Sequence, residues 1–230
     1  MSTLLLYGRR MSQSSAGTNV RGRASRARLL NAALRQFGAR GFRGTTLADL
    51  AADAGVSEPA VLYHFGSKEH LLEQVLHDDD MAQRERMDRD RADASLAAAV
   101  TELAARHEAA PAFIRLYTVV AAESIDPEHP AHAYFVERYR RSRGDFADWI
   151  ANEQREGRLL ESIDPDILAR LLIAILDGLE LQYLLEPGAG DIARPLAEFF
   201  NFLGTSRRAG SSNSAPSLTP TSPPGRRRRG

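Results

Sequence analysis

The chain contains no cysteine. That excludes a disulfide framework, thiolate metal ligation, a cysteine nucleophile and cysteine redox chemistry, and it suits a reducing compartment. Lysine is nearly absent as well: of 30 basic residues only Lys68 is a lysine, and the others are arginine. One tryptophan, Trp149, and 7% aromatic residues leave few large rings to place. Long apolar runs are also missing. The longest, residues 167–176, is interrupted by Arg170 and is too short to cross a bilayer. The opening MSTLLLYGRRMSQ has an apolar run of about four residues, too short for the core of a signal peptide. A soluble, cytoplasmic protein is expected, with no membrane partner. There is no phosphate loop, no Gly-x-Ser-x-Gly elbow and no His-Glu-x-x-His motif. The expectation is a protein that is not an enzyme, with no catalytic residue, no cofactor and no metal.

What is present begins with an uneven distribution of charge. The 230 residues suffice for one or two domains with a buried core, and their 30 bases and 30 acids cancel. Residues 1–48, however, carry nine arginines and no acid, and residues 204–230 carry six arginines and no acid. The acids all lie between them. Basic ends on an acidic body suggest that one end meets a polyanion and the body does not. Residues 1–22 mix Ser, Gly, Gln and Arg without periodicity, and residues 204–230 are rich in Ser, Pro and Gly and lack apolar surface to bury. They read as a disordered basic arm and a disordered basic tail ending in Arg226–Arg229.

Between the tails the apolar residues follow a helical period and no strand-like alternation occurs, so the expected class is all-α. Leu29, Ala33 and Phe37 stand on one face of a first helix, which Gly38 and Gly41 should end. A short helix follows over about 47–52, with Thr46 and Asp49 spaced as a capping box. After the turn Ala54-Gly55-Val56, Ser57 can cap a second short helix to about Phe65. Gly66 breaks it and Ser67 caps a longer one. Further helices are expected over 95–108, 111–124, 130–156, 165–185 and 192–203, punctuated by proline. The stretch 167–185 is apolar on several sides and needs cover on two fronts, one of which can be a second subunit.

Two short helices across a glycine turn, with a small residue at their crossing and a basic segment before them, have the layout of a helix-turn-helix. The run TTLADLAADAGVSEPAVLYHFGSKEHLLEQVL (45–76) goes further and resembles the DNA-binding domain of the TetR family of transcriptional regulators. Thr46, Asp49, Leu50, Ala51, the Ala54-Gly55-Val56-Ser57 turn, His64-Phe65, Ser67-Lys68-Glu69 and Leu72 carry the likeness, with Leu29, Ala33, Phe37 and Gly41-Phe42 before them. One position departs from the pattern. Leu62 stands where the family usually has tyrosine and Tyr63 follows it, so either Tyr63 takes over a phosphate contact or Leu62 simply packs.

The resemblance implies a helix-turn-helix domain over 23–66 and a larger helical ligand-binding and dimerisation bundle over 67–203. It implies a homodimeric regulator, most simply a repressor, that binds double-stranded DNA at a palindromic operator and is released by a small-molecule effector. At the DNA, Arg43 adds charge and Thr46 faces a phosphate besides capping. Ser57, Glu58 and Ala60 open the recognition helix. Glu58 can accept from cytosine N4 and Ala60 can touch a thymine methyl, or Glu58 points to solvent. Tyr63 and His64 either reach the DNA or, for His64, pack inside. Lys68, at a helix start, suits a phosphate, and Arg21 and Arg23 can reach a minor groove. In the bundle, Phe113, Leu116, Tyr117, Val120, Trp149, Asp177 and Gln182 are the candidate ligand-binding residues. The segment 163–185 looks like the helix that builds the family's dimer interface. Leu168, Leu172, Ile175, Leu179, Phe199 and Phe200 are the candidate interface residues. His77-Asp78-Asp79-Asp80 reads as a solvated face rather than a metal site. The stretch containing Tyr134, Arg138, Tyr139, Arg140 and Arg141 reads as an exposed helix face. A second reading, a small-molecule-binding helical protein with lost or secondary DNA binding, rests on the Leu62/Tyr63 departure. A third, an enzyme built on Asp177 or Glu180, has no motif behind it.

Overall fold

The structure is a computed structural model that describes residues 19–188 and 190–211, all helical or connecting. Nine helices follow one another among these residues: α1 (Asn19–Arg40), α2 (Leu47–Ala54), α3 (Glu58–Phe65), α4 (Lys68–Asp93), α5 (Leu96–Ala109), α6 (Pro111–Glu123), α7 (His132–Arg155), α8 (Pro165–Leu185) and α9 (Ala193–Ser211). The protein is all-α, as the periodicity requires. The expected bounds shift by one or two residues at several helices, among them α2, which runs to Ala54, and α7, which starts at His132, and by more at the two ends. Helix α1 begins at Asn19, so residues 19–22 are helical rather than part of an arm, and α9 runs past residue 203 to Ser211. Residues 1–18, the side chain of Arg21 and the Arg226–Arg229 run lie outside the described residues.

The ends of the helices follow local chemistry. Thr46 and Asp49 form the reciprocal capping box at α2, and Gly55, with φ 62°, closes that helix by donating to the Ala51 and Ala52 carbonyls. The Ser67 hydroxyl accepts from the His70 N–H at the start of α4. Asp164 does the same for α8 through the Asp166 and Ile167 N–H groups. At the start of α9 the Asp191 carboxylate accepts from the Arg194 N–H, and Glu108 of α5 adds to it by accepting from the N–H groups of Ile192 and Ala193. Ser57 precedes α3, but its side chain makes no capping hydrogen bond.

Two apolar cores result. The first joins α1, α2, α3 and the start of α4 to one face of α6 and the start of α7, around Phe37, Leu50, Val61, Leu72 and Leu116. The second fills the bundle of α5 to α9, around Ile114, Ile150, Leu172 and Leu196. Helix α6 belongs to both. Leu116 and Val120, four residues apart, face α1, while Ile114 faces the other core. Gly38 does not end α1, as its residue type suggests. It lies inside the helix where α6 crosses, and a Cβ there would stand 3.2 Å from the Leu116 backbone nitrogen. Its role is close approach rather than termination.

Gly38→Val should therefore push α1 off α6 and destabilise the protein by about 1–3 kcal/mol, the usual cost of overpacking a tight contact. Urea denaturation measures this, and an unchanged midpoint would refute the crossing.

Candidate nucleic-acid interface and adjoining cavity

The helix-turn-helix is held from inside by Leu50, Ala51 and Ala54 of α2 against Val61 and Phe65 of α3, all buried. This leaves one side of α3 free. Ser57 and Glu58 are exposed at its start, Ala60 is half-buried, and His64 is half-buried with its ring edge-on to Tyr63 at 5.3 Å. Tyr63 is 85% exposed and Leu62 is 44% exposed, so the shifted tyrosine points outward and Leu62 does not pack inside.

The groups expected to meet phosphate are more committed than their positions suggest. The Lys68 ammonium donates to the Phe42 carbonyl at 2.9 Å and the Thr45 carbonyl at 2.8 Å, and lies 4.1 Å from the centre of the Phe42 ring. It ties the α1–α2 turn to α4 and is not free at the helix start. The Thr46 hydroxyl donates to Asp49 at 2.7 Å while accepting from the Asp49 N–H at 3.1 Å. These bonds to Thr46, with Arg40 behind them, hold the Asp49 carboxyl below its ordinary range. Arg43 pairs with Asp126 in the α6–α7 loop, and Arg35 with Asp53.

Arg43 and Asp126 belong to a joint between the two cores that sequence reasoning missed. Gly41 adopts φ 73°, and the Glu123 carboxylate sits where a Cβ would lie. Glu123 accepts the Phe42 N–H at 2.6 Å. His129 is buried beside it, edge-on to Phe42 at 5.3 Å. Its Nδ1 accepts from the Ala131 N–H at 3.2 Å and from the Ser124 hydroxyl at 2.9 Å, which fixes the neutral tautomer. Its Nε2 has no hydrogen-bond partner and stands 3.6 Å from Glu123. Burial lowers the His129 pKa, and the Glu123 charge only partly offsets this.

Beyond the joint lies a cavity of about 360 Å³ walled by α4, α5, α6, α7 and α8. Of the residues expected to bind ligand, Phe113, Tyr117, Trp149 and Asp177 line it. Leu116 and Val120 do not, because they stand on the α6 face that packs on α1. Gln182 is exposed on α8 and donates to the Gly178 carbonyl. The acidic run 77–80 is not a solvated face throughout: Asp80 is buried, with Arg141 at 2.5 Å and Arg138 at 3.7 Å. Nor is the arginine-rich stretch of α7 all exposed. Arg138 stacks 4.5 Å over Tyr117, and Tyr134 donates to the Leu76 carbonyl at 3.3 Å. The opposite signs of HDDD on α4 and RYRR on α7 were the available clue. Tyr117 also donates to the Leu76 carbonyl, at 3.2 Å. Burial, reinforced by the Asp79 charge, pushes its phenol well above the ordinary value. Among the described residues no group of acids and histidines could hold a metal, and no helix is long and apolar enough to cross a membrane.

Of the six candidate interface residues, Leu168 and Leu172 are buried in the chain's own bundle core and Phe200 nearly so. Ile175, Leu179 and Phe199 are half-buried against it. The apolar residues left outside are Ile167, Leu171, Leu181 and Leu185 of α8 and Phe202 of α9. The 168/172 stripe is the one the chain's own core takes.

This is a helix-turn-helix unit welded to a helical bundle with an internal cavity, the architecture of a DNA-binding protein with a ligand-sized compartment. The sequence model for bacterial regulatory proteins of the tetR family matches residues 29–75. That for the C-terminal part of BetI-type transcriptional repressors matches residues 128–200, and the two together span about half of the chain. The HTH-type transcriptional repressor KstR2 of Mycolicibacterium smegmatis is 42% identical over 53 residues, 23% of this chain and 26% of that protein. The HTH-type transcriptional regulator TtgR of Pseudomonas putida is 41% identical over 59 residues, 26% of this chain and 28% of that protein. The matches therefore span only about a quarter of these curated relatives. A TetR-family regulator from Agrobacterium tumefaciens superposes with a TM-score of 0.67 at 15% identity, over 77% of this chain and 98% of that one. A protein from Saccharomonospora viridis, described as a transcriptional regulator in complex with choline, superposes with a TM-score of 0.63 at 24% identity, over 77% and 94%. Both structures share the fold. The chain belongs to the TetR family of bacterial regulatory proteins.

Two outcomes follow from the joint. Lys68→Met removes two charge-assisted hydrogen bonds and should cost about 1–3 kcal/mol of stability; a phosphate-only lysine would leave the denaturation midpoint of the DNA-free protein unchanged. His129 has a native pKa below its ordinary value of 6.5, so the unfolded chain takes up that proton first. Its contribution is present above the ordinary value and is lost as pH falls toward the depressed native one. The melting temperature should fall between about pH 7.5 and pH 5.5, and less steeply in His129→Asn. Equal slopes would refute it.

Proposed function

We propose that the protein is a homodimeric transcriptional repressor of the cytoplasm, released from a palindromic operator by a small molecule bound in the cavity. One observation carries the reading. Helix α4 is unbroken from Lys68, at the foot of the recognition helix, to the cavity wall at Asp80, Gln83 and Met87. Whatever fills the cavity touches the same rigid rod that positions α3. Tyr117 supports the reading further, since it lines the cavity and donates to the α4 carbonyl of Leu76.

In this reading α3 enters the major groove, and Ser57, Glu58, Ala60, Tyr63 and His64 meet bases or phosphates. The basic α1 and Arg43 add attraction to the backbone. Thr46 and Lys68 act mainly by shaping the turn that presents α3, and through it approach phosphate. A second copy docks against the exposed apolar residues of α8 and α9. The two recognition helices then read half-sites about 34–36 Å apart. The effector shifts the dimer toward a spacing that fits DNA poorly, and it can do so only by binding that state more tightly. The repressor names of KstR2 and of the matched C-terminal model support repression. The choline complex of the Saccharomonospora protein supports a small-molecule site.

Selection of genomic fragments by the purified protein, at about 150 mM salt with competitor DNA, tests the DNA half. Recovery of one near-palindrome bound by two chains is expected. Recovery of only unspecific, salt-sensitive DNA would favour a ligand-binding protein without an operator. Tyr63→Ala should leave stability within about 0.5 kcal/mol, since the side chain is exposed, yet weaken operator binding roughly tenfold. Unchanged binding would remove Tyr63 from the interface.

A further inference from the structure

Helix α6 and the loop after it reach the turn between α1 and α2 through two carboxylates, and a histidine stands beside them. Glu123 accepts the Phe42 N–H and fills the space next to Gly41. Asp126 pairs with Arg43 of the same turn. His129, its side chain fully buried, packs edge-on against Phe42 at 5.3 Å. The turn held in this way presents the helix-turn-helix. Lys68 of α4 donates to the Phe42 and Thr45 carbonyls, and Thr46, next in the chain, caps α2. Helices α2 and α3 share the core around Leu50 and Val61, so a movement of Phe42 is passed to α2 and from it to α3.

The surroundings of His129 suit the neutral ring. Its Nδ1 accepts from both the Ala131 N–H and the Ser124 hydroxyl, so the ring proton is on Nε2. That nitrogen has no hydrogen-bond partner. The nearest acceptor, Glu123 Oε2, stands 3.6 Å away, too far for a hydrogen bond. The same Oε2 accepts the Phe42 N–H at 2.6 Å.

A second proton on the ring has only Nδ1 to take. There it opposes the Ala131 N–H, donor against donor, and the Ser124 hydroxyl must turn round to accept. The imidazolium also draws Glu123 Oε2 toward Nε2 and away from Phe42. The charges facing the ring divide by element. Glu123 of α6 and Asp126 of the loop attract the new charge, and Arg43 of the turn repels it. Lys68 of α4 places a further cation 4.1 Å from the centre of the Phe42 ring on which His129 packs. His132, at the start of α7, lies against the Ser124 carbonyl through its Nδ1. A charged His129 is therefore pulled toward the α6 side and pushed from the turn, and the joint opens between them.

Resting on the reading of the chain as an operator-binding regulator, we propose that His129 is a positioning residue that makes operator binding sensitive to protons. The neutral ring leaves Glu123 on the turn and keeps α2 and α3 in the arrangement that binds DNA. The protonated ring takes Glu123 from Phe42, breaks the Ala131 bond at the start of α7 and frees the turn. Acid then lowers operator affinity with no ligand in the cavity. Burial holds the ring below its ordinary value of 6.5, which puts the response on the acid side of neutrality.

The full chain is compared at about pH 7.5 and about pH 5.5. Hydrogen exchange of the peptide containing Phe42, corrected for the intrinsic effect of pH, should show protection falling roughly tenfold in acid. In His129→Asn the Oδ1 keeps the acceptor role of Nδ1 but takes no proton, and protection should stay constant. Affinity for the near-palindrome recovered by the fragment selection should fall about tenfold in the wild type. In His129→Asn it should hold or rise, because His64 and His70 in the DNA-binding unit gain charge that favours phosphate. Glu123→Gln keeps an acceptor for the Phe42 N–H without the attracting charge, and should move the response to lower pH. Equal protection at the two pH values would overturn the inference and leave the regulator standing. So would an affinity that falls alike in wild type and His129→Asn, an open turn with unchanged affinity, or loss of helical circular dichroism at the lower pH. A proton-dependent turn in a chain that selects no operator would sink the regulator reading and, with it, the role of His129 in DNA binding.

Discussion

The contact on which the rest of the molecule depends is the crossing of α1 with α6. At Gly38 the two helices approach so closely that not even a methyl group fits without displacement. Two turns further along α6, Glu123 reaches over to hold the Phe42 N–H and occupies the space beside Gly41. A helix-turn-helix of this size has little core of its own, and here it borrows one. Leu116, Val120, Ala131 and Phe135 from the bundle complete the cluster around Phe37. The DNA-binding unit and the bundle are thus one cooperative body along this seam, so strain on one side is felt on the other.

A second tie makes the seam directional. Tyr117 and Tyr134 both donate to the Leu76 carbonyl of α4, and Tyr117 is at once a cavity wall. Helix α6 therefore presents three functions by angle alone. One face packs on α1, another lines the cavity, and its last residue caps the turn before α2. Any shift of α6 against α1 meets little slack, because Gly38 and Glu123 hold the far side.

Much of this was legible in the sequence because local signals were unambiguous. The 165–185 helix is found with the bounds its proline and apolar run imply, and the Thr46/Asp49 box and Ser67 cap form as their spacing requires. Apart from the two ends of the described helices, what escaped was tertiary. Periodicity shows that Leu116, Val120, Leu168 and Leu172 are apolar stripes, but it does not say which neighbour takes each stripe. The first pair went to α1 and the second to the chain's own core. Lys68 had the right position for phosphate, yet two carbonyls of a distant turn reached it first. Asp80 and Arg138, each reading as a surface charge in its own helix, become a buried pair only once α4 and α7 are laid side by side.

The scarcity of lysine gives Lys68 a further use. Its amine is the only side-chain amine in the chain, and it is held by two carbonyls and an aromatic face. Acylating reagents that need a free amine must wait for the turn between α1 and α2 to open. The rate of such modification is then a clock for local opening of the DNA-binding unit, read at one atom, with no engineered label and no competing lysine.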